Sequence, residues 1–139
     1  MKKTSARNAF TGTINRIKRG DLLVEVEILT STGLQVVSII TAESAYNLEL
    51  REGINTTATI KAPWVIISTG DAPTSARNHF SGKVQSVQLG EIEAEVLVTL
   101  DEGTTVCAVI TSQSARVLKL EPGKPVSVLF KAFAVVLGM

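Results

Sequence analysis

Aromatic side chains are scarce in this sequence, at 4%: Phe10, Tyr46, Trp64, Phe80, Phe130 and Phe133 are all it has. Modules that grip single-stranded nucleic acid stack bases on such residues along a basic groove. Here 14 basic residues are offset by 13 acidic ones, for a net charge of +1. No field gathers nucleic acid or an anionic membrane surface. Cysteine occurs once, at Cys107, which excludes an internal disulfide framework and fits a reducing compartment. Set in an apolar run, that thiol reads as a small buried hydrophobe. The one histidine, His79, lies in an unrelated context. No nucleophile–base pair can be assembled, so no enzyme and no cation-binding metal centre are expected. No apolar stretch has the length to cross a bilayer. Met1-Lys-Lys-Thr4 has the basic start of a signal peptide but no apolar segment behind it. A cytoplasmic protein without nucleic-acid or membrane partners is expected.

What the chain does have is a repeat. Ser5-Ala-Arg-Asn8 returns as Ser75-Ala-Arg-Asn78, and Thr4–Thr69 aligns with Thr74–Met139 without a gap, about a third of the pairs being identical. The architecture is therefore two copies of one unit, residues 1–69 and 70–139. Each copy is near the lower limit for an independently stable domain. Hydrophobic content is nonetheless 45% and mean hydropathy +0.26. Apolar surface must then be covered between copies or between chains, and self-association is expected.

Residues present in both copies are either demanded by the unit or parts of a site built twice. Gly12/Gly82, Gly20/Gly90, Gly33/Gly103 and Gly53/Gly123 fall at expected turns or strand irregularities. Val26/Val96, Val36/Val106, Ile40/Ile110, Leu48/Leu118, Leu50/Leu120 and Val65/Val135 are core types. The polar remainder is Ser5/Ser75, Arg7/Arg77, Asn8/Asn78, Glu25/Glu95, Thr41/Thr111, Ser44/Ser114 and Lys61/Lys131. A forked guanidinium, a compact ammonium and several hydroxyls suit an oxyanion: the cations balance a dianion and the hydroxyls fill its other acceptor positions. Each part alone is ordinary; Thr-x-x-Ser is usually just a helix start. The weight lies in their joint recurrence, while Arg16, Lys18 and Arg19 become Ser86, Gln88 and Leu89. That basic cluster reads as a solvated hairpin. Glu25/Glu95 and Asn8/Asn78 either orient the cations or satisfy backbone groups.

Periodicity orders one unit as β-β-β-α-β-β. Strands are expected over Phe10–Lys18, Leu22–Leu29, Leu34–Ile40, Thr56–Lys61 and Val65–Ser68. A short helix should start at Thr41, whose capping leaves first-turn N–H groups for an anion, and Gly53 lies beyond its end. The second copy repeats this, with its helix from about Ser112. The fold class is all-β with one short helix per unit: two tandem OB-like Greek-key β-barrels. Thr69–Pro73 is too short for a mobile tether, so the copies should pack together.

Ser-Ala-Arg-Asn-x-Phe-x-Gly, Glu-Val, Thr-x-x-Ser-Ala, Leu-x-Leu-x-x-Gly and Lys-Ala-Pro-Trp-Val resemble the Mop (TOBE-like) domain of molybdate-binding proteins. The tandem pair closely resembles a di-Mop molbindin, over nearly the whole of each copy. The resemblance implies a cytoplasmic role in molybdenum homeostasis, with no cofactor and with molybdate or tungstate as ligand. It implies a homotrimer with anions between neighbouring domains. It implies Ser5, Arg7, Thr41, Ser44, Lys61, Ser75, Arg77, Thr111, Ser114 and Lys131 as ligands, drawn from different subunits. The second copy departs at Lys131-Ala-Phe-Ala-Val, losing Pro63 and Trp64 while keeping the cation. Two other readings compete: an OB-fold nucleic-acid module, disfavoured by the missing aromatics, and the oxyanion-sensing part of a transporter ATPase or regulator. No Gly-x-x-x-x-Gly-Lys-Ser/Thr loop and no room for a DNA-reading helix pair accompany the repeat.

Overall fold

A computed structural model describes residues 4–70 and 72–139. In β1 (Asn8–Arg19) the residues Asn8, Phe10, Gly12 and Ile14 are buried in strict alternation. The register then shifts between Ile14 and Arg16, a bulge that bends the strand from one neighbour to the next. β2 (Leu23–Thr30) buries Val24, Val26 and Ile28 and turns Glu25 and Glu27 to the other face. β3 (Gln35–Thr41), α1 (Ala42–Asn47), β4 (Asn55–Ile60) and β5 (Ile66–Ser68) follow, with one 3-10 turn at Ala62–Trp64. The second copy repeats the series as β6 (Asn78–Leu89), β7 (Glu93–Leu100), β8 (Thr105–Thr111), α2 (Ser112–Val117), β9 (Pro125–Phe130), a 3-10 turn at Ala132–Ala134, and β10 (Val136–Gly138). The expected order of elements and the two OB-like barrels are both present, with strand ends shifted by one or two residues.

The copies do not close on themselves. One sheet runs β10-β4-β1-β2-β3 and the other β5-β9-β6-β7-β8. Each barrel takes its last strand from the other copy: Leu137 pairs with Ala58, and Ile67 with Val128. The 3-10 turns cross over with them, the Ala132–Ala134 turn packing on β3 and the Ala62–Trp64 turn on β8. Ser38 Oγ donates to the Val135 carbonyl at 2.9 Å, and Thr56 Oγ1 to that of Gly138 at 2.9 Å. The apolar interior is accordingly one cluster with members from both copies, from Phe10 and Val26 to Phe130 and Leu137.

Asn8 and Asn78, left open by the sequence, bind the barrels to each other through backbone groups. Asn78 donates from Nδ2 to the Val37 carbonyl and accepts from the Val37 N–H, both at 2.8 Å. Asn8 does the same to Cys107, the residue equivalent to Val37, also at 2.8 Å in both directions. Each buried amide stands in for a peptide group beside a strand of the other copy, which leaves no buried donor or acceptor there unpaired. Gly12 and Gly82 have a steric reason: a Cβ would lie 2.5 Å from the carbonyl oxygen of Leu29 or of Thr99, where β1 and β6 meet their hairpin partners.

Candidate oxyanion site

Thr41 and Thr111 cap their helices as expected. Each Oγ1 accepts from the backbone N–H three residues on, at 3.0 Å, and donates to the hydroxyl of Ser44 or Ser114 at 2.8 Å. The first turn is less free than the sequence suggests. Ala42 N–H already donates to the Leu22 carbonyl at 2.9 Å, and Ser112 N–H to that of Ile92 at 2.8 Å. The helices end before Gly53 and Gly123, as expected. Glu49 and Lys119, at φ 54° and 53°, adopt the left-handed conformation that closes the last turn. Gly53 instead serves the turn into β4 and donates to the Ile14 carbonyl at 2.8 Å. Leu22, 81% exposed, lies beside the start of the first helix, where its carbonyl takes the Ala42 N–H; Ile92, 78% exposed, lines the same depression as Thr111 and Ser114.

The cations lie elsewhere. Lys61 and Lys131, expected in separate sites, line one cleft of about 760 Å³ together with Ser5, Trp64, Ile66, Phe133 and Val136. The exchanged 3-10 turns bring them there. Phe133, one position earlier in its copy than Trp64, thus supplies this cleft with a second aromatic ring. Thr111 and Ser114 line a second depression of about 480 Å³, beside the Pro63–Ile67 segment of the first copy. The hydroxyl pair of one copy thus neighbours the turn that follows the lysine of the other.

Arg7 and Arg77 each reach across to the other copy. Arg7 Nη1 and Nη2 donate to Glu95 Oε2 and Oε1 at 3.1 and 3.2 Å, and Arg77 Nη1 donates to Glu25 Oε1 at 2.6 Å. Of the two roles open to Glu25 and Glu95, they take the first, as partners of the cations. The donated hydrogen bond from the guanidinium holds each carboxyl below its usual range, and raises each arginine further. Burial pushes the nearby Cys107 thiol up, so this buried cysteine is no more acidic than an ordinary one. Ser75 lies in the Thr74–Ala76 turn, where Thr74 Oγ1 accepts from the Ala76 N–H at 3.1 Å; Ser5 lies in the matching turn.

All ten candidate ligands are exposed in the single chain. Ser5, Lys61 and Lys131 come together; the Thr–Ser pairs and the Arg–Glu pairs form separate groups. The lining by Trp64 and Phe133 was not derivable from spacing, although an aromatic inside both Lys-Ala-x-x-Val windows was the available signal. Among the described residues, no group of His, Cys, Asp or Glu is arranged to hold a metal ion, and no helix is long and apolar enough to cross a membrane.

Comparison with known proteins finds relatives over both copies. The TOBE domain model matches residues 4–67 and again 74–137. The molybdenum transport protein ModE of Herbaspirillum seropedicae is 35% identical over 139 residues, which is 99% of this chain and 52% of the relative. The molybdenum-pterin-binding protein MopA of Rhodobacter capsulatus is 36% identical over 139 residues, again 99% of this chain and 52% of the relative. The chain thus spans about half the length of the curated relatives it matches. A solved structure of the cytoplasmic molybdate-binding protein ModG, with molybdate bound, superposes with a TM-score of 0.95 at 38% identity, covering 99% of both chains. Those proteins are named for binding and transport rather than for a catalysed reaction. With both copies matched by one domain model and the whole chain matched by a tandem relative, this protein belongs to the TOBE domain family, as a tandem Mop-domain molbindin.

Proposed function

We propose that this chain binds molybdate, and tungstate alike, reversibly and without catalysis, as a cytoplasmic store, buffer or carrier of the anion. Ser5, Arg7, Thr41, Ser44, Lys61, Ser75, Arg77, Thr111, Ser114 and Lys131 serve as its ligands, contributed to each site by neighbouring chains. Molybdenum enters as a tetrahedral dianion and not as a coordinated cation. The observation that carries this reading is the splitting of the candidate ligands into exposed half-sites with apolar rims. One face presents Lys61, Lys131 and Ser5 between Trp64, Phe133, Ile66 and Val136. The other presents a Thr–Ser hydroxyl pair, with the exposed Leu22 at the start of its helix in one copy and the exposed Ile92 lining its depression in the other.

Apolar rims of this size favour burial against another chain. An anion between a cationic face and a hydroxyl face of neighbouring chains is desolvated, and there charged hydrogen bonds gain strength. A homotrimer supplies these contacts in closed symmetry and leaves no face unmatched. Calorimetric titration of the purified protein with molybdate, tungstate and sulfate tests the reading. Heat and saturation with the first two, and much weaker binding of the smaller sulfate, are expected. Absence of molybdate binding overturns it. A second reading, an oxyanion-sensing region of a regulator, is favoured by one observation, the match to about half of ModE-named relatives. It keeps the same anion chemistry and adds an output outside these residues.

A further inference from the structure

Each candidate arginine already holds an anion, a carboxylate of the other copy, and the two carboxylates are not equally placed. Glu95 spends both oxygens on Arg7. Opposite Glu95 in the β6–β7 ladder stands Gln88, and the residues equivalent to Arg16 and Glu27 are the uncharged Ser86 and Leu97. Arg7 is its one cationic neighbour among the described residues. Glu25 makes a single bond to Arg77. Directly opposite Glu25 in the β1–β2 ladder stands Lys18, and Arg16, which pairs with Glu27 at 3.8 Å, is also near. Directly opposed side chains on one face of an antiparallel pair interact, so Lys18 is a ready second partner for Glu25.

Resting on the reading of Arg7 and Arg77 as ligands, we infer that Glu25 and Glu95 are internal competitors of the oxyanion, and that they grade the two sites of a chain. A dianion seeks the same guanidinium N–H groups that the carboxylate occupies, and repels the carboxylate as it enters. When it takes Arg77, Glu25 falls back on Lys18 and Arg16. When it takes Arg7, Glu95 is left with no cation. The Arg77 site therefore fills before the Arg7 site. The basic hairpin Arg16–Lys18, which looked merely solvated in the sequence, becomes the element that makes the copies unequal. Glu25 and Glu95 are then determinants of affinity that the anion itself need never touch.

The test is calorimetric titration of molybdate at fixed ionic strength into the intact protein and the variants Glu95→Gln, Glu25→Gln, Lys18→Gln, Arg7→Ala and Arg7→Ala/Glu95→Gln. Two classes of site are expected in the parent. Glu95→Gln should strengthen the weaker class about two- to fivefold, the range of an exposed ion pair. Glu25→Gln should strengthen the tighter class by less, and Lys18→Gln should weaken it. The gain from Glu95→Gln must vanish when Arg7 is already alanine, which separates competition from a general change of charge. In 15N-arginine spectra the Arg7 Nη signals should lose hindered rotation in Glu95→Gln and shift on molybdate addition in both proteins. Unchanged or weaker binding in Glu95→Gln, alongside a clear loss in Arg7→Ala, overturns the competition while sparing the arginine ligands. Unchanged binding in Arg7→Ala removes the ligand assignment at that site, and the competition with it.

Discussion

Replacing Asn8 with alanine should cost far more than its position at a strand end suggests. The side chain is 3% exposed and makes three hydrogen bonds: with the Cys107 N–H and carbonyl at 2.8 Å each, and with the Ile60 carbonyl at 3.2 Å. Truncation orphans the backbone N–H and carbonyl of Cys107 in a buried setting, at about 1–3 kcal/mol each. The sum, roughly 2–6 kcal/mol, is a large part of the stability of an ordinary domain. Because Asn8 belongs to one barrel and Cys107 to the other, the loss should lower one shared transition and not split it. Urea unfolding should show a reduced midpoint with an unchanged slope, and the melting temperature should fall by roughly 5–20 °C. Hydrogen exchange should accelerate at the Cys107 amide. Asn78→Ala should do the same at Val37, while Asn15→Ala, at an exposed position of the bulge, should stay within about 0.5 kcal/mol. A cost below about 0.5 kcal/mol for Asn8→Ala, with slow exchange retained at Cys107, would refute the reasoning.

Gly12→Ala places a Cβ 2.5 Å from the Leu29 carbonyl oxygen, and the resulting backbone shift should cost about 1–3 kcal/mol in chemical unfolding. The Arg–Glu pairs should stabilise the fold slightly at neutral pH, as exposed pairs do. Since each folded carboxyl lies below its unfolded value, that contribution is present above the ordinary carboxylate range and is lost as pH falls through the depressed value. The melting difference between the parent and Glu25→Gln/Glu95→Gln should thus shrink toward zero in acid, a trend read by calorimetric melts from pH 7 downward. Light scattering of the anion-free protein should give a mass near three chains of 14.8 kDa, because apolar burial and not the anion supplies most of the attraction. Molybdate at a hundredfold excess over its dissociation constant should add about 2.7 kcal/mol per site and raise the melting temperature, where sulfate does much less; a monomer unchanged by molybdate contradicts the interface sites.

How far the sequence carried this picture depended on whether a feature was local. Thr41 and Thr111 announced their helices because a capping hydroxyl and the run behind it are adjacent in the chain. Val24, Val26 and Ile28 announced a half-buried strand by alternation. The exchange of β5 and β10 left no such trace. Ile66–Ser68 meets β9 in the same register in which Val136–Gly138 meets β4, so equivalent contacts serve an exchanged or an unexchanged barrel. With the last strands exchanged, Lys61 and Lys131 line one cleft, a proximity that the repeat alone does not reveal. Recurrence marked Asn8 and Glu95 as important but could not name Cys107 or Arg7 as partners, which lie far along the chain and meet only once the copies are joined. Gly53 lies beyond the helix, as its spacing implied, while the left-handed position that closes the last turn falls on Glu49, where no glycine marks it in the sequence.

The assignment of Arg7 and Arg77 as anion ligands is the claim on which the functional account turns. Calorimetric titration of molybdate into Arg7→Ala/Arg77→Ala, with circular dichroism to confirm the folded state, tests it most directly. Loss of a charged hydrogen bond to a desolvated anion should cost roughly 1.5–3 kcal/mol at each site, which is about tenfold or more in affinity. Folded protein with at least that loss is the result predicted, and folded protein that binds molybdate as tightly as the parent would contradict it.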